Sequence, residues 1–117
     1  MKEVFLQLVN FLEKSAQQNG FHCKTRKAGV FCVSIEKKGD RLDNVWLGVG
    51  LCEKHINLYA FKNVSDGCRD DIRNNFSVTE KDKKGSHRFR ADNIVDAKNF
   101  SEAIFHYMKL FRDGGTA

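Results

Sequence analysis

Asn44-Val-Trp-Leu-Gly-Val-Gly-Leu-Cys52, followed after Glu53-Lys-His55 by Ile56-Asn-Leu-Tyr-Ala-Phe61, is the stretch that most narrows what this chain can become. Its side chains alternate with a period of two, the spacing of strands that turn one face to a core. Val45, Leu47, Val49 and Leu51 form one set; Trp46, Gly48, Gly50 and Cys52 form the other. A connection as short as Glu53–His55 joins antiparallel neighbours, because a parallel return needs a dozen residues or more. The first set is expected to be core. The second is a strip of bare backbone with an indole at one end. Glycine inside a strand leaves nothing to pack, and it often marks a bulge or the close approach of a ligand or another backbone.

The segments before this pair fit the same sheet. Residues 2 to about 18 have helical spacing, with Val4, Phe5, Leu8, Val9, Phe11, Leu12 and Ala16 on one stripe and Gly20 as the stop. Phe21 to Lys27 is a first strand, placed at an edge by Lys24, Arg26 and Lys27. Val30 to Lys37 is a second, with Phe31, Val33 and Ile35 facing the core and Cys32 and Ser34 facing away. Lys38 to Asp43 reads as a charged loop. Four strands so closely spaced predict an antiparallel meander.

Downstream, Ser65 opens a short helix to about Asn75, on which Cys68, Ile72 and Phe76 recur every four residues. Phe76–Glu80 and Ser86–Asp92 flank Lys81-Asp-Lys-Lys-Gly85 as a hairpin with a basic tip. A last helix is expected from Asp96 or Asn99, where Asn99 and Glu102 have capping-box spacing, to Gly114-Gly115. The fold class is therefore α+β: a two-layer sandwich, an antiparallel meander sheet with the N- and C-terminal helices packed on one face. With 117 residues, 41% hydrophobic content and ten Phe, the chain supports a single domain that buries about two thirds of its unfolded surface.

Composition excludes several functions. No stretch approaches the ~18 consecutive apolar residues of a membrane span. The N-terminal region, interrupted by Gln7, Asn10, Glu13 and Lys14, lacks a signal peptide's apolar run, and a cytoplasmic location is expected. Cys23, Cys32, Cys52 and Cys68 are expected to be reduced structural thiols. Cys52-x-x-His55 and His22-Cys23 are the close ligand pairs, but without Cys-x-x-Cys spacing no zinc site is expected, and no cofactor is implied. Glu36-Lys-Lys38 carries the Glu-x-Lys tail of a nuclease signature but lacks its upstream acidic strand residue, so a metal-dependent nuclease or hydrolase is the remote reading. Cys52 beside His55, or Cys68 at a helix start, could serve as a nucleophile, but Asp66, Asp70 and Asp71 oppose a thiolate at Cys68. No catalytic constellation emerges.

The uncovered sheet face carries the leading expectation. Trp46, Gly48, Gly50, Tyr59 and Phe61 should bind an apolar ligand or a second copy of the chain, making the protein a non-enzymatic interaction module and a homodimer. The alternative is a single-stranded nucleic-acid binder. Twenty Lys and Arg stand against fifteen Asp and Glu, a net charge of +5. Lys81, Lys83, Lys84, Arg88 and Arg90, with Arg26, Lys27 and Lys62, could surround the aromatics with positive charge.

Overall fold

A computed structural model describes residues 1–76 and 86–114. In chain order these form α1 (Lys2–Asn19), β1 (His22–Thr25), β2 (Phe31–Lys38), β3 (Arg41–Leu51), β4 (Ile56–Ala60), α2 (Asp66–Asn75), β5 (His87–Ala91) and α3 (Ile94–Arg112). The strands pair in sequence order, each antiparallel to the next, as a five-stranded meander. The helices pack on one face of it, giving the expected α+β sandwich. Leu8 and Leu12 of α1 meet Phe100, Ile104 and Met108 of α3 over Leu47, Val49, Leu58 and Phe89 of the sheet, all buried in one cluster.

Each helix ends where a local hydrogen bond replaces the helical ladder. α1 stops at Gly20, whose φ of 74° suits a residue without Cβ, and the Phe21 N–H donates to the Ala16 carbonyl at 2.8 Å. Phe21 is thereby placed to stack on Phe105 of α3 at 5.7 Å. The Arg112 guanidinium donates to the Asn19 carbonyl and lies 4.8 Å from the Phe21 ring centroid, tying the ends of α1 and α3 together. α2 is capped by Ser65, whose hydroxyl accepts from Cys68 N–H at 3.3 Å. It buries Cys68 and Ile72 in the same core, beside α3.

Two boundaries differ from expectation. α3 begins at Ile94, not at Asp96 or Asn99. Asn93 accepts from Asp96 N–H at 2.8 Å and its amide donates to the Asp96 carboxylate at 3.0 Å, so the reciprocal cap forms one turn or more earlier. The Lys38–Asp43 loop shrinks to Gly39-Asp40. Arg41, Leu42 and Asp43 pair with Lys38, Lys37 and Glu36, and Gly39 supplies the positive φ, 61°, of the two-residue turn. β5 lies in the outgoing arm, Ser86–Asp92, of the expected hairpin and pairs with β4. Phe76 ends α2 and sets its ring edge-on to Phe100 at 5.4 Å. Residues 77–85, which hold the rest of the expected incoming arm and the Lys81–Gly85 tip, lie outside the described residues.

A bulge in β3 changes which way the Trp points. Val33 pairs with Leu47 but Ser34 pairs with Val45, so Trp46 is one residue too many in its strand. Leu47 and Val49 stay on the helix side, while Val45 joins Ser34 on the other. Trp46 turns inward, fully buried, with its ring 5.5 Å from Phe111 of α3. Asn44 takes the strain at φ 55°, a conformation Asn tolerates, and its Oδ1 accepts from the indole Nε1 at 3.2 Å. Asn63 Nδ2 donates to the Val45 carbonyl at 3.0 Å. The magnitudes favour this arrangement. Burying an indole removes ~150–250 Å² from water, about 4–6 kcal/mol, against about 1 kcal/mol for a disturbed ladder hydrogen bond.

Candidate functional site

The site begins with register. Lys24 pairs with Cys32, Cys32 with Gly48, Gly48 with Tyr59 and Tyr59 with Arg88. Paired residues share a face, so these five form one row across the side of the sheet away from the helices. In the next row Gly50 pairs with Asn57 and Asn57 with Arg90, while Arg26 N–H donates to the Val30 carbonyl at 2.9 Å at the other edge. Neighbouring strands lie ~4.8 Å apart, so the two edges stand about 19 Å from each other. Both edges are cationic and the middle is aromatic.

The glycine strip is not empty. A Cβ on Gly48 would lie 2.8 Å from Phe61 Cε2 and 3.0 Å from Val30 Cγ1; one on Gly50 would lie 3.5 Å from Tyr59 Cε2. At Gly48 the Phe61 ring occupies the space a side chain would need, whereas at Gly50 a Cβ would meet Tyr59 at an ordinary contact distance. Tyr59 and Phe61 are half-buried, with ring centroids 6.0 Å apart and planes 18° from parallel. The Arg26 guanidinium sits 5.7 Å from the Phe61 centroid, a cation–π contact that joins the aromatic pair to the β1 edge.

Of the five residues expected on this face, Gly48, Gly50, Tyr59 and Phe61 are brought together. Trp46 is not: the bulge sends it to the helix side, and it lines no part of the strip. Among the expected cations, Arg88 and Arg90 project on this face opposite Tyr59 and Asn57, whereas Lys81, Lys83 and Lys84 lie outside the described residues. Lys24 was not foreseen here; its only signal was pairing with an outward-facing residue of the second strand.

At the β1 edge the β2–β3 hairpin folds back. Lys24 Nζ donates to the Asp40 carbonyl at 3.1 Å. A straight hairpin would hold Asp40 eight residues, ~26 Å, beyond Cys32, the partner of Lys24. This bend encloses a groove of about 830 Å³ lined by Lys24, Arg26, Lys27 and Arg41, with Asp40 among them.

At the opposite end a cleft of about 340 Å³ is lined by Cys52, His55, Asn57, Arg88 and Arg90. The tight turn closes with Cys52 N–H donating to the His55 carbonyl at 3.0 Å. Asn57 organises the side chains. Its Oδ1 faces His55 Nε2 at 3.0 Å, and its Nδ2 donates to Cys52 Sγ at 3.0 Å and to the Tyr59 hydroxyl at 3.3 Å. The nearness of Cys52 and His55 was legible in the sequence, but the bridging amide was not. Arg90 also meets Asp92 at 3.2 Å, an exposed pair.

Other candidate groups stay apart. His22 lies level with Ser34 and Val45, about seven residues or ~23 Å along β3 from Cys52, so the two Cys–His pairs do not converge. Glu36 is opposite Asp43, whose carboxylate meets Lys38 at 3.5 Å. Among the described residues no group of three or more His, Cys, Asp and Glu could hold a metal ion. Cys68 is fully buried, and burial followed by the nearby Asp71 pushes its thiol up to about 12, against the Arg69 charge, the reverse of an activated nucleophile. No helix among the described residues is long and apolar enough to cross a membrane. No protein-family model, curated protein or solved structure matches the chain, so the chemistry of the face alone carries the functional reading.

Proposed function

We propose that the open sheet face binds single-stranded nucleic acid. The carrying observation is the Tyr59–Phe61 ring pair set between two cationic edges, Arg88 and Arg90 on β5 and, at the other edge, Lys24 on β1 and Arg26 just after it. A strand crossing the sheet would stack bases on the rings and place phosphates against the guanidiniums at either side. Aromatic platforms with a basic surround bind single strands in this way, with little sequence preference, because every base has a π-face. The groove at the β1 edge extends the same charge beyond the sheet. Binding would need no metal and no proton transfer.

What favours this reading over an apolar small-molecule site is that the Phe61 ring lies over Gly48 and that Trp46 packs against Phe111 on the helix side. The test is fluorescence anisotropy with labelled oligo-dT and oligo-U across a salt series, with light scattering on the free protein. The proposal expects affinity that falls with salt, the log–log slope being about −0.7 per phosphate neutralised. Absence of binding at 25 mM salt would refute it, as would binding insensitive to Tyr59→Ala and Arg88→Gln together. So would a stable dimer whose interface protects Tyr59.

A further inference from the structure

We propose that the groove at the β1 edge holds the terminal phosphomonoester of the single strand bound across the sheet, an inference that rests on the nucleic-acid reading of this face. The groove, of about 830 Å³, is large enough for a nucleotide end. Its cations come from three places in the chain: Lys24 from β1, Arg26 and Lys27 from the turn after it, and Arg41 from the start of β3. Among the described residues that line it, one carboxylate, Asp40, stands against these four. Among the described residues, too, neither Lys27 nor Arg41 has an ion-pair partner, so both charges are available to an anion.

Position and charge both single out an end of the strand. The row that starts at Arg88 and passes Tyr59 reaches Lys24 on β1, the last strand of the sheet. There the β2–β3 hairpin folds back, held by Lys24 Nζ donating to the Asp40 carbonyl at 3.1 Å. A nucleic-acid strand following the row therefore runs out of sheet at the groove. Arg26 is the junction: its guanidinium lies 5.7 Å from the Phe61 centroid and also lines the groove, so a base stacked at Phe61 is one side chain away from it. As for charge, an internal phosphodiester carries one negative charge, whereas a phosphomonoester carries nearly two at neutral pH and offers three acceptor oxygens. The opposite edge has Arg88 and Arg90, and Arg90 is shared with Asp92 at 3.2 Å. The more highly charged end of the strand accordingly goes to the β1 edge, where arginine can take phosphate through two parallel hydrogen bonds and lysine adds point charge.

The test is competition anisotropy on the full chain against a labelled oligo-dT at about 100 mM salt. Three unlabelled oligo-dT competitors of about twelve nucleotides differ only in their ends: a 5′-phosphate, a 3′-phosphate, or hydroxyls at both. A phosphate at one end or the other should tighten binding about fivefold, and the end that gains sets the direction of the strand across the sheet. In Lys27→Gln/Arg41→Gln, both exposed positions, the ratio of phosphorylated to hydroxyl-ended affinity should fall to about one. In Arg88→Gln every competitor should weaken while the ratio is kept. Circular dichroism confirms that each variant is folded, and Arg41→Gln alone, which should lower the ratio part of the way, serves if the double variant is not. Equal affinity of the three competitors would overturn end capture and leave the nucleic-acid reading standing; no binding by any of them would overturn both. A preference that survives the groove variant, or that Arg88→Gln removes as fully, would also overturn end capture, since the phosphate would then lie elsewhere.

Discussion

The edge of the Phe61 ring fills the volume that a side chain on Gly48 would need, its Cε2 standing 2.8 Å from the position of a Cβ there. The contact is mutual: glycine lets the ring approach the sheet, and the ring covers backbone that would otherwise meet water. Gly48→Ala should therefore push Phe61 off β3 and cost about 1–3 kcal/mol, whereas Gly50→Ala, with 3.5 Å to Tyr59 Cε2, should stay within about 1 kcal/mol. Urea denaturation of both variants checks this. In a double-mutant cycle Phe61→Ala should remove most of the penalty at Gly48.

Trp46 is the single tryptophan, and it is fully buried against Phe111. Its fluorescence in the folded protein should be blue-shifted and shielded from iodide, with both properties lost on unfolding. Trp46→Ala should cost about 3–5 kcal/mol by opening a cavity between β3 and α3. Trp46→Phe, if folded, should bind oligonucleotide as the parent does. A Trp46 signal quenched directly by bound oligonucleotide would contradict the burial.

Tyr59 and Arg88 lie opposite one another on β4 and β5, and they should fail in different ways. Tyr59→Ala should weaken single-strand binding by about 1–3 kcal/mol and leave the salt slope unchanged, because stacking releases no counterion. Arg88→Gln should weaken binding alike for all sequences and lower the slope by nearly one phosphate's worth. Titrations at several salt concentrations separate the two effects.

Alkaline pH should destabilise the fold. The Cys68 thiol, ordinarily near 9.0, is pushed up to about 12, by burial first and then by Asp71. The unfolded chain therefore releases this proton before the folded one does. Its contribution to stability is complete below about pH 9 and is lost as pH rises toward 12, with a slope of up to ~1.4 kcal/mol per pH unit. Burial also raises Cys32, Cys23 and, with help from Asp71, Tyr107, which act in the same direction. Urea midpoints between pH 8 and 10.5 should fall, and less steeply for Cys68→Ala.

Much of this architecture is legible in the sequence. The 3.6-residue stripe from Val4 to Ala16 forms α1, and the alternation of His87, Phe89 and Ala91 against Arg88 and Arg90 is observed in β5, the first set buried. Such periodicities survive because each side chain's direction follows from its own backbone. Boundaries were less legible. Asn93–Asp96 and Asn99–Glu102 both offer capping spacing, and the choice between them depends on what α3 packs against. Arg41-Leu42-Asp43 looks like loop until Glu36, Lys37 and Lys38 are seen to pair with it.

The candidate face shows the same division. Sequence alone determined that Gly48, Gly50, Tyr59 and Phe61 share one side of a sheet and that Arg88 and Arg90 project together, since both follow from period-two alternation within single strands. Tertiary structure decided the rest. One extra residue in β3 reverses every side chain beyond it, and whether a bulge forms depends on the energy of burying Trp46 against Phe111, a residue 65 positions away in the chain (111 − 46). The rows that join Lys24 to Arg88 across five strands likewise exist only once register is set by pairing. Local alternation orients a side chain; only long-range packing decides what stands next to it.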